Sequence, residues 1–185
     1  MAASAFDAAS VRSAQAAEVL RRRAESLAQS QDEETSVETR GLLLFRLGDE
    51  WYAFPIDGVR EIYNDYTVTR IPRVPEFILG VVNVRGEIIS VTDLGVMMRV
   101  PSRTQREVEG ELPSAIVVAN GSCVTAVVID EIGDIVDVPR DAIEPALSTL
   151  DKAQAEFVAG SVYVDGRLIG IVNLDKVLEP VGEDA

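Results

Sequence analysis

A chain of 185 residues with 47% apolar and 26% charged side chains can bury a sizeable core, as one ordinary domain or as two small ones that share it. Its net charge of −14 repels phosphate backbones and anionic lipid surfaces, so nucleic acid is not expected as a partner. One cysteine, Cys123, and no histidine exclude a disulfide framework, leave no ligand set for zinc, and deny Cys123 an activating base, so it reads as a small strand residue.

The first residues, Met1 to Asp7, have neither a basic start nor a long apolar stretch, so no signal peptide is expected. No apolar run approaches the roughly 18 residues of a membrane span, and the expectation is a soluble, cytoplasmic protein without direct membrane insertion. Residues 8–29 lack Gly and Pro and place Leu20, Ala24 and Leu27 at helical spacing, which predicts a helix with a thin apolar stripe. Arg21, Arg22 and Arg23 within it are flanked by Glu18 and Glu25, a weak basis for membrane-surface binding. Residues 30–40 are polar and acidic and read as a linker. The expected division is therefore 1–40, helix and acidic linker, followed by a folded unit over 41–180.

From Gly41 the pattern changes. Leu42 to Phe45 and Trp51 to Phe54 flank Gly48-Asp49 and predict a hairpin. Val59 to Ile62 begins another strand, with Arg60 and Ile62 on one face and Val59 and Glu61 on the other. Pro72 and Pro75 mark an irregular crossing. Val81 to Val84 and Ile88 to Val91 form a second predicted hairpin around Arg85-Gly86-Glu87. Leu94 to Met98 reads as a short helix capped by Asp93, and residues 101–113 as a polar loop.

The second half repeats this plan. At an offset of 73 residues, Gly48, Asp57, Val59 and Ile62 match Gly121, Asp130, Ile132 and Ile135. At an offset of 80, Glu76-Phe77, Gly80, Val82, Val84 and Gly86 match Glu156-Phe157, Gly160, Val162, Val164 and Gly166. The second copy therefore carries an insertion between Ile135 and Glu156. One such unit buries little surface alone, so two small β-barrels packed together are expected.

Candidate chemistry is sparse. There is no phosphate-binding glycine loop and no nucleophile elbow. Asp57, Asp93 and Asp130 follow apolar strands, where a carboxylate most often caps a turn or helix. Asp57 and Asp130 nevertheless define the alternative reading, a carboxylate enzyme or small-ligand binder built on an acidic β-barrel. The informative asymmetry between the copies lies in the second hairpin: Asn83 and Arg85 in the first stand where Tyr163 and Asp165 stand in the second. Period-two alternation puts Asn83 and Arg85 on one strand face, where they compete well as partner-binding groups.

The strings Leu43-Leu44-Phe45-Arg46-Leu47-Gly48-Asp49-Glu50, Val59-Arg60-Glu61-Ile62, Gly80-Val81-Val82-Asn83-Val84-Arg85-Gly86 and Ile89-Ser90-Val91-Thr92-Asp93-Leu94 resemble, in order, the CheW family of chemotaxis coupling proteins. The resemblance covers residues 41–179. It implies an all-β fold of two intertwined, SH3-like, five-stranded barrels with short helical turns, here with an N-terminal helical extension. It also implies no enzymatic activity and no cofactor or metal. By the same resemblance, such a protein is an adaptor that links the cytoplasmic tips of methyl-accepting chemoreceptors to the regulatory domain of a CheA-type histidine kinase, in arrays at the inner membrane. The positions matching the family's receptor-binding groove are Val59, Glu61 and Arg85 with Ile132 and Ile135, and Asn83 joins them from the hairpin. An apolar wall of Val59, Ile132 and Ile135 suits a helix face, with Glu61 and Arg85 orienting it at the rim. Kinase contact is expected around the first-copy hairpin strands. A domain that binds the kinase and no receptor is the third reading.

Overall fold

The computed structural model describes residues 38–101, 114–147 and 150–179; the helix expected over 8–29, most of the linker and nearly all of the loop at 101–113 lie outside them. The described residues from Thr39 onward belong to one compact unit. Its first half runs β1 (Thr39–Leu47), β2 (Glu50–Pro55), β3 (Val59–Tyr63), β4 (Ile78–Val84), β5 (Glu87–Asp93) and the short helix α1 (Leu94–Met98). Its second half runs β6 (Ala115–Asn120), β7 (Cys123–Val128), β8 (Glu131–Pro139), α2 (Lys152–Phe157), β9 (Val158–Val164), β10 (Arg167–Val172) and α3 (Leu174–Val177). Cys123 is the first residue of β7, and Asp93 caps α1 by accepting the Val96 N–H at 3.0 Å.

The strands assemble into two five-stranded sheets, ordered β8-β1-β2-β10-β9 and β3-β6-β7-β5-β4. Neither sheet is made from one copy. The first-copy hairpin β1–β2 pairs with second-copy strands, and the second-copy hairpin β6–β7 pairs with first-copy strands. The exchange obeys the internal repeat residue by residue: parallel pairing sets Ile171 against Ala53 in one sheet and the matching Val91 against Ala126 in the other. This is the intertwined two-barrel architecture that the family resemblance implies.

Burial explains why the central strands read as unbroken apolar runs. Along β1, Leu42 and Leu44 point into their own sheet's interior with Ala53, Val162, Ile169 and Ile171. Leu43, Phe45 and Leu47 point the other way, into a core shared with Ile116, Val118 and Val127 of the opposite sheet. β6 repeats the division, with Ala115 and Val117 facing inward and Ile116 and Val118 facing the shared core. A strand buried on both faces loses the alternation of a half-exposed one. Phe45 stacks on Phe54, its neighbour in the same sheet, with ring centroids 4.6 Å apart, and both rings lie in the shared core, a favourable aromatic arrangement.

Two glycines permit a matched close approach. Thr69 exchanges both backbone bonds with Val81 of β4, at 2.8 and 2.9 Å, and Glu144 does the same with Ser161 of β9, at 2.8 Å each. A Cβ at Gly80 would run into the Thr69 carbonyl, and one at Gly160 would lie 2.8 Å from the Glu144 carbonyl oxygen. These bridges cover part of each outer edge, which would otherwise present unpaired backbone groups.

Candidate functional site

β3 and β8 are edge strands at equivalent places in the two sheets. β-Branched Val59, Ile62 and the aromatic Tyr63 suit β3 to an extended, half-buried conformation. Its burial alternates as the sequence pattern predicts, and the face turned inward is that of Val59, Glu61 and Tyr63, with Arg60 and Ile62 outward. Val59 packs against the shared core, and so does its counterpart Ile132 on β8. Ile62 and Ile135 also match, and both are exposed, Ile135 to 62%.

The Arg85–Gly86 turn between β4 and β5 reaches back toward β3, although β4 and β3 lie at opposite ends of the strand order. Arg85 and Glu61 form an ion pair at 2.9 Å, with the arginine side chain 80% exposed and the carboxylate 24% exposed. A second, longer pair joins Arg60 to Glu87 at 3.7 Å. Side-chain ion pairs thus span a seam that no backbone ladder closes. Glu61, inward on β3, is held in a defined place, while most of the Arg85 guanidinium stays available to a partner.

Asn83 and Arg85 do not share a strand face as the alternation predicts. β4 ends at Val84, and Val84 pairs directly with Glu87, so Arg85 and Gly86 form a two-residue turn. Both have positive φ, 51° and 92°, the signature of the type I′ hairpin. An arginine in the left-handed region is uncommon and costs about 1–2 kcal/mol relative to the right-handed region. Asn83 Oδ1 accepts the Gly86 N–H at 2.8 Å, so its side chain folds onto the turn.

The matching seam of the other sheet is built differently. Gly133, Asp134, Asp165 and Arg167 stand where Arg60, Glu61, Arg85 and Glu87 stand in the first. Arg167 lies over the Trp51 ring, 5.4 Å from its centroid, and a Cβ at Gly133 would come within 2.7 Å of that ring. An indole stacked on bare backbone takes the place of the ion pairs.

Asp57 and Asp130 do different things. Asp130, 8% exposed, accepts the Gly48 N–H at 2.6 Å across the β1–β2 turn. Asp57 lies exposed in the 3₁₀ turn after β2 and borders a shallow depression of about 390 Å³ to which Asp130 does not contribute. No group of three His, Cys, Asp or Glu side chains that could hold a metal ion is found among the described residues. No helix among them is long and apolar enough to cross a membrane.

Residues 41–181 match the family model of the CheW-like domain. The chain belongs to the CheW family. Similar relatives include a chemotaxis protein CheW of Rhizobium meliloti, 30% identical over 139 residues, covering 75% of this chain and 86% of that one. Protein FrzA of Myxococcus xanthus is 32% identical, covering 76% of this chain and 86% of its own length. The crystal structure of the scaffolding protein TtCheW from Thermoanaerobacter tengcongensis matches with a TM-score of 0.68 at 27% identity, covering 80% of this chain and 98% of that one. Membership in the CheW family makes this a chemotaxis adaptor or scaffold and not an enzyme, so the carboxylate-enzyme reading of Asp57 and Asp130 is set aside.

Reading by strand periodicity misses the capping bond from Asn83 to Gly86. It also misses a link that ties the inserted segment down: Gln154 of α2 donates to Glu50 Oε2 at 3.0 Å, and Glu50 in turn accepts from the Tyr52 hydroxyl at 2.5 Å. The first had a signal in the sequence, because an Asn three residues before a hairpin glycine is a common turn-capping arrangement. The second joins residues about a hundred positions apart and had none.

Proposed function

We propose that this protein couples chemoreceptor cytoplasmic tips to the regulatory domain of a CheA-type histidine kinase in the cytoplasm, within receptor arrays at the inner membrane. Residues 41–180 carry this role, and residues 1–40 are an appended segment. The receptor site consists of Val59, Glu61 and Arg85 from the first copy with Ile132 and Ile135 from the second. Asn83 supports it from the hairpin, and the kinase binds around the first-copy hairpin strands.

The observation that carries this reading is the Arg85–Glu61 pair at one edge strand. It sets an exposed guanidinium beside an inward carboxylate, next to a β3 edge whose counterpart β8 exposes Ile135. Receptor tips are helical hairpins, and a helix offers such a site an apolar stripe flanked by polar groups. The ion pair supplies orientation and the isoleucine apolar contact, and neither arrangement is suited to bond-making.

Separate pull-downs with a receptor cytoplasmic tip and with the kinase regulatory domain test it. The wild-type chain binds both, and Arg85→Asp loses receptor while keeping its fold, as circular dichroism reads it. Kinase binding with no receptor binding by the wild type would favour the kinase-only reading. Full receptor binding by Arg85→Asp would remove Arg85 from the site.

A further inference from the structure

Arg85 is an awkward residue for the place it occupies. The first position of a type I′ turn favours Asn, Asp or Gly, because these tolerate the left-handed region. The other copy of the repeat shows the ordinary solution: Asp165 and Gly166 make the matching turn with φ of 49° and 74°. There the Asn83 position is taken by Tyr163, which stands 68% exposed and whose one side-chain acceptor, the phenolic oxygen, sits at the far end of the ring, away from the adjoining turn. Asp165 is suited to the conformation by itself, and the counterpart of Glu61 is Asp134, of the same charge sign, so the attraction between Arg85 and Glu61 has no equivalent here. In the first copy the arginine gains a partner in Glu61 and loses intrinsic suitability for the turn. That is the copy in which a side-chain acceptor, Asn83 Oδ1, holds the next N–H at 2.8 Å. Backbone strain of this kind persists where surrounding bonds over-determine it.

We propose that Asn83 is a positioning residue for Arg85: it holds the Arg85–Gly86 turn in its left-handed form, keeps the guanidinium at Glu61 and facing outward, and does not itself contact the receptor. This inference rests on the reading of Arg85 as a receptor contact, and it changes the part given to Asn83. The carboxamide oxygen is committed to the turn, so the side chain acts through its neighbour two residues on. Removing it frees the turn to relax, and the Arg85 side chain then samples positions away from Glu61.

The test is a double-mutant cycle on receptor-tip affinity, run with hydrogen exchange of the Gly86 amide. Asn83→Ala weakens receptor binding by about threefold to tenfold, the worth of one net hydrogen bond, and accelerates Gly86 amide exchange. Asn83→Asp retains the acceptor and stays close to wild type in both readouts. In an Arg85→Ala background, Asn83→Ala causes no further loss, because one acts through the other. Additive losses in the cycle, or damage by Asn83→Asp equal to that by Asn83→Ala, would show direct contact and overturn the proposal. Unchanged Gly86 exchange in Asn83→Ala would overturn it as well. If Arg85→Ala alone leaves receptor affinity intact, the receptor reading of Arg85 fails, and the exchange measurement separately decides whether Asn83 holds the turn.

Discussion

Arg85 reaches across the open seam of its sheet to Glu61, and the two charged groups meet at 2.9 Å although the arginine remains 80% exposed. A pair this exposed contributes little to stability, about 0–1 kcal/mol. Its value lies in orientation. Glu61→Arg and Arg85→Glu are each expected to abolish receptor binding while shifting the urea midpoint very little. The double exchange, Glu61→Arg with Arg85→Glu, regains the internal pair but presents the wrong charge to the receptor. It should therefore restore wild-type stability and leave binding absent, as equilibrium unfolding and a receptor pull-down would show.

Asp130 is a different kind of carboxylate. It is buried and accepts the Gly48 N–H at 2.6 Å, so Asp130→Ala leaves a turn donor without its partner. The expected loss is about 1–3 kcal/mol, measured by urea unfolding, with receptor affinity unchanged after correction for the unfolded fraction.

The shared core binds the two sheets into one cooperative unit. Phe45→Ala removes a fully buried ring that stacks on Phe54 and should cost about 3–5 kcal/mol. Because each sheet contains strands from both copies, unfolding should remain a single transition by circular dichroism and by Trp51 fluorescence alike. Two separated transitions would contradict the shared core.

Alkaline pH offers a further test. Burial raises the Tyr66 phenol from 10.0 to about 12. Burial, followed by the hydrogen bond and charge of Glu50, pushes Tyr52 higher still. The folded state therefore holds protons that the unfolded chain releases above about pH 10. Stability is intact below that pH and falls as pH rises toward 12, by at most about 1.4 kcal/mol per pH unit for each phenol. Tyr66→Phe should flatten the slope between pH 10 and 12 in urea titrations.

Much of the architecture was legible before any coordinates. Glycines and β-branched residues recurring at fixed offsets predicted the two copies, both hairpins and α1, because turn chemistry and strand alternation are local. The pattern of the repeat alone pointed to barrels packed together. That they exchange hairpins was implied by the family resemblance, since periodicity does not say which copy a strand pairs with. At the site, alternation groups Val59 with Glu61 on one face of β3, but it does not say that this face is the inward one. Arg85 departs from alternation because the chain leaves the strand at Val84 and turns with positive φ, where a period of two no longer applies.

The exchange of hairpins also orders events during synthesis. The sheet containing β3 to β7 has all its strands once Val128 has been made. The sheet begun by β1 and β2 must wait for β10, which ends at Val172 and inserts between β2 and β9. The β1–β2 hairpin, made before the other strands described, is thus among the last to find its neighbours. Until then its two apolar faces depend on the already completed sheet, or on a chaperone, for cover.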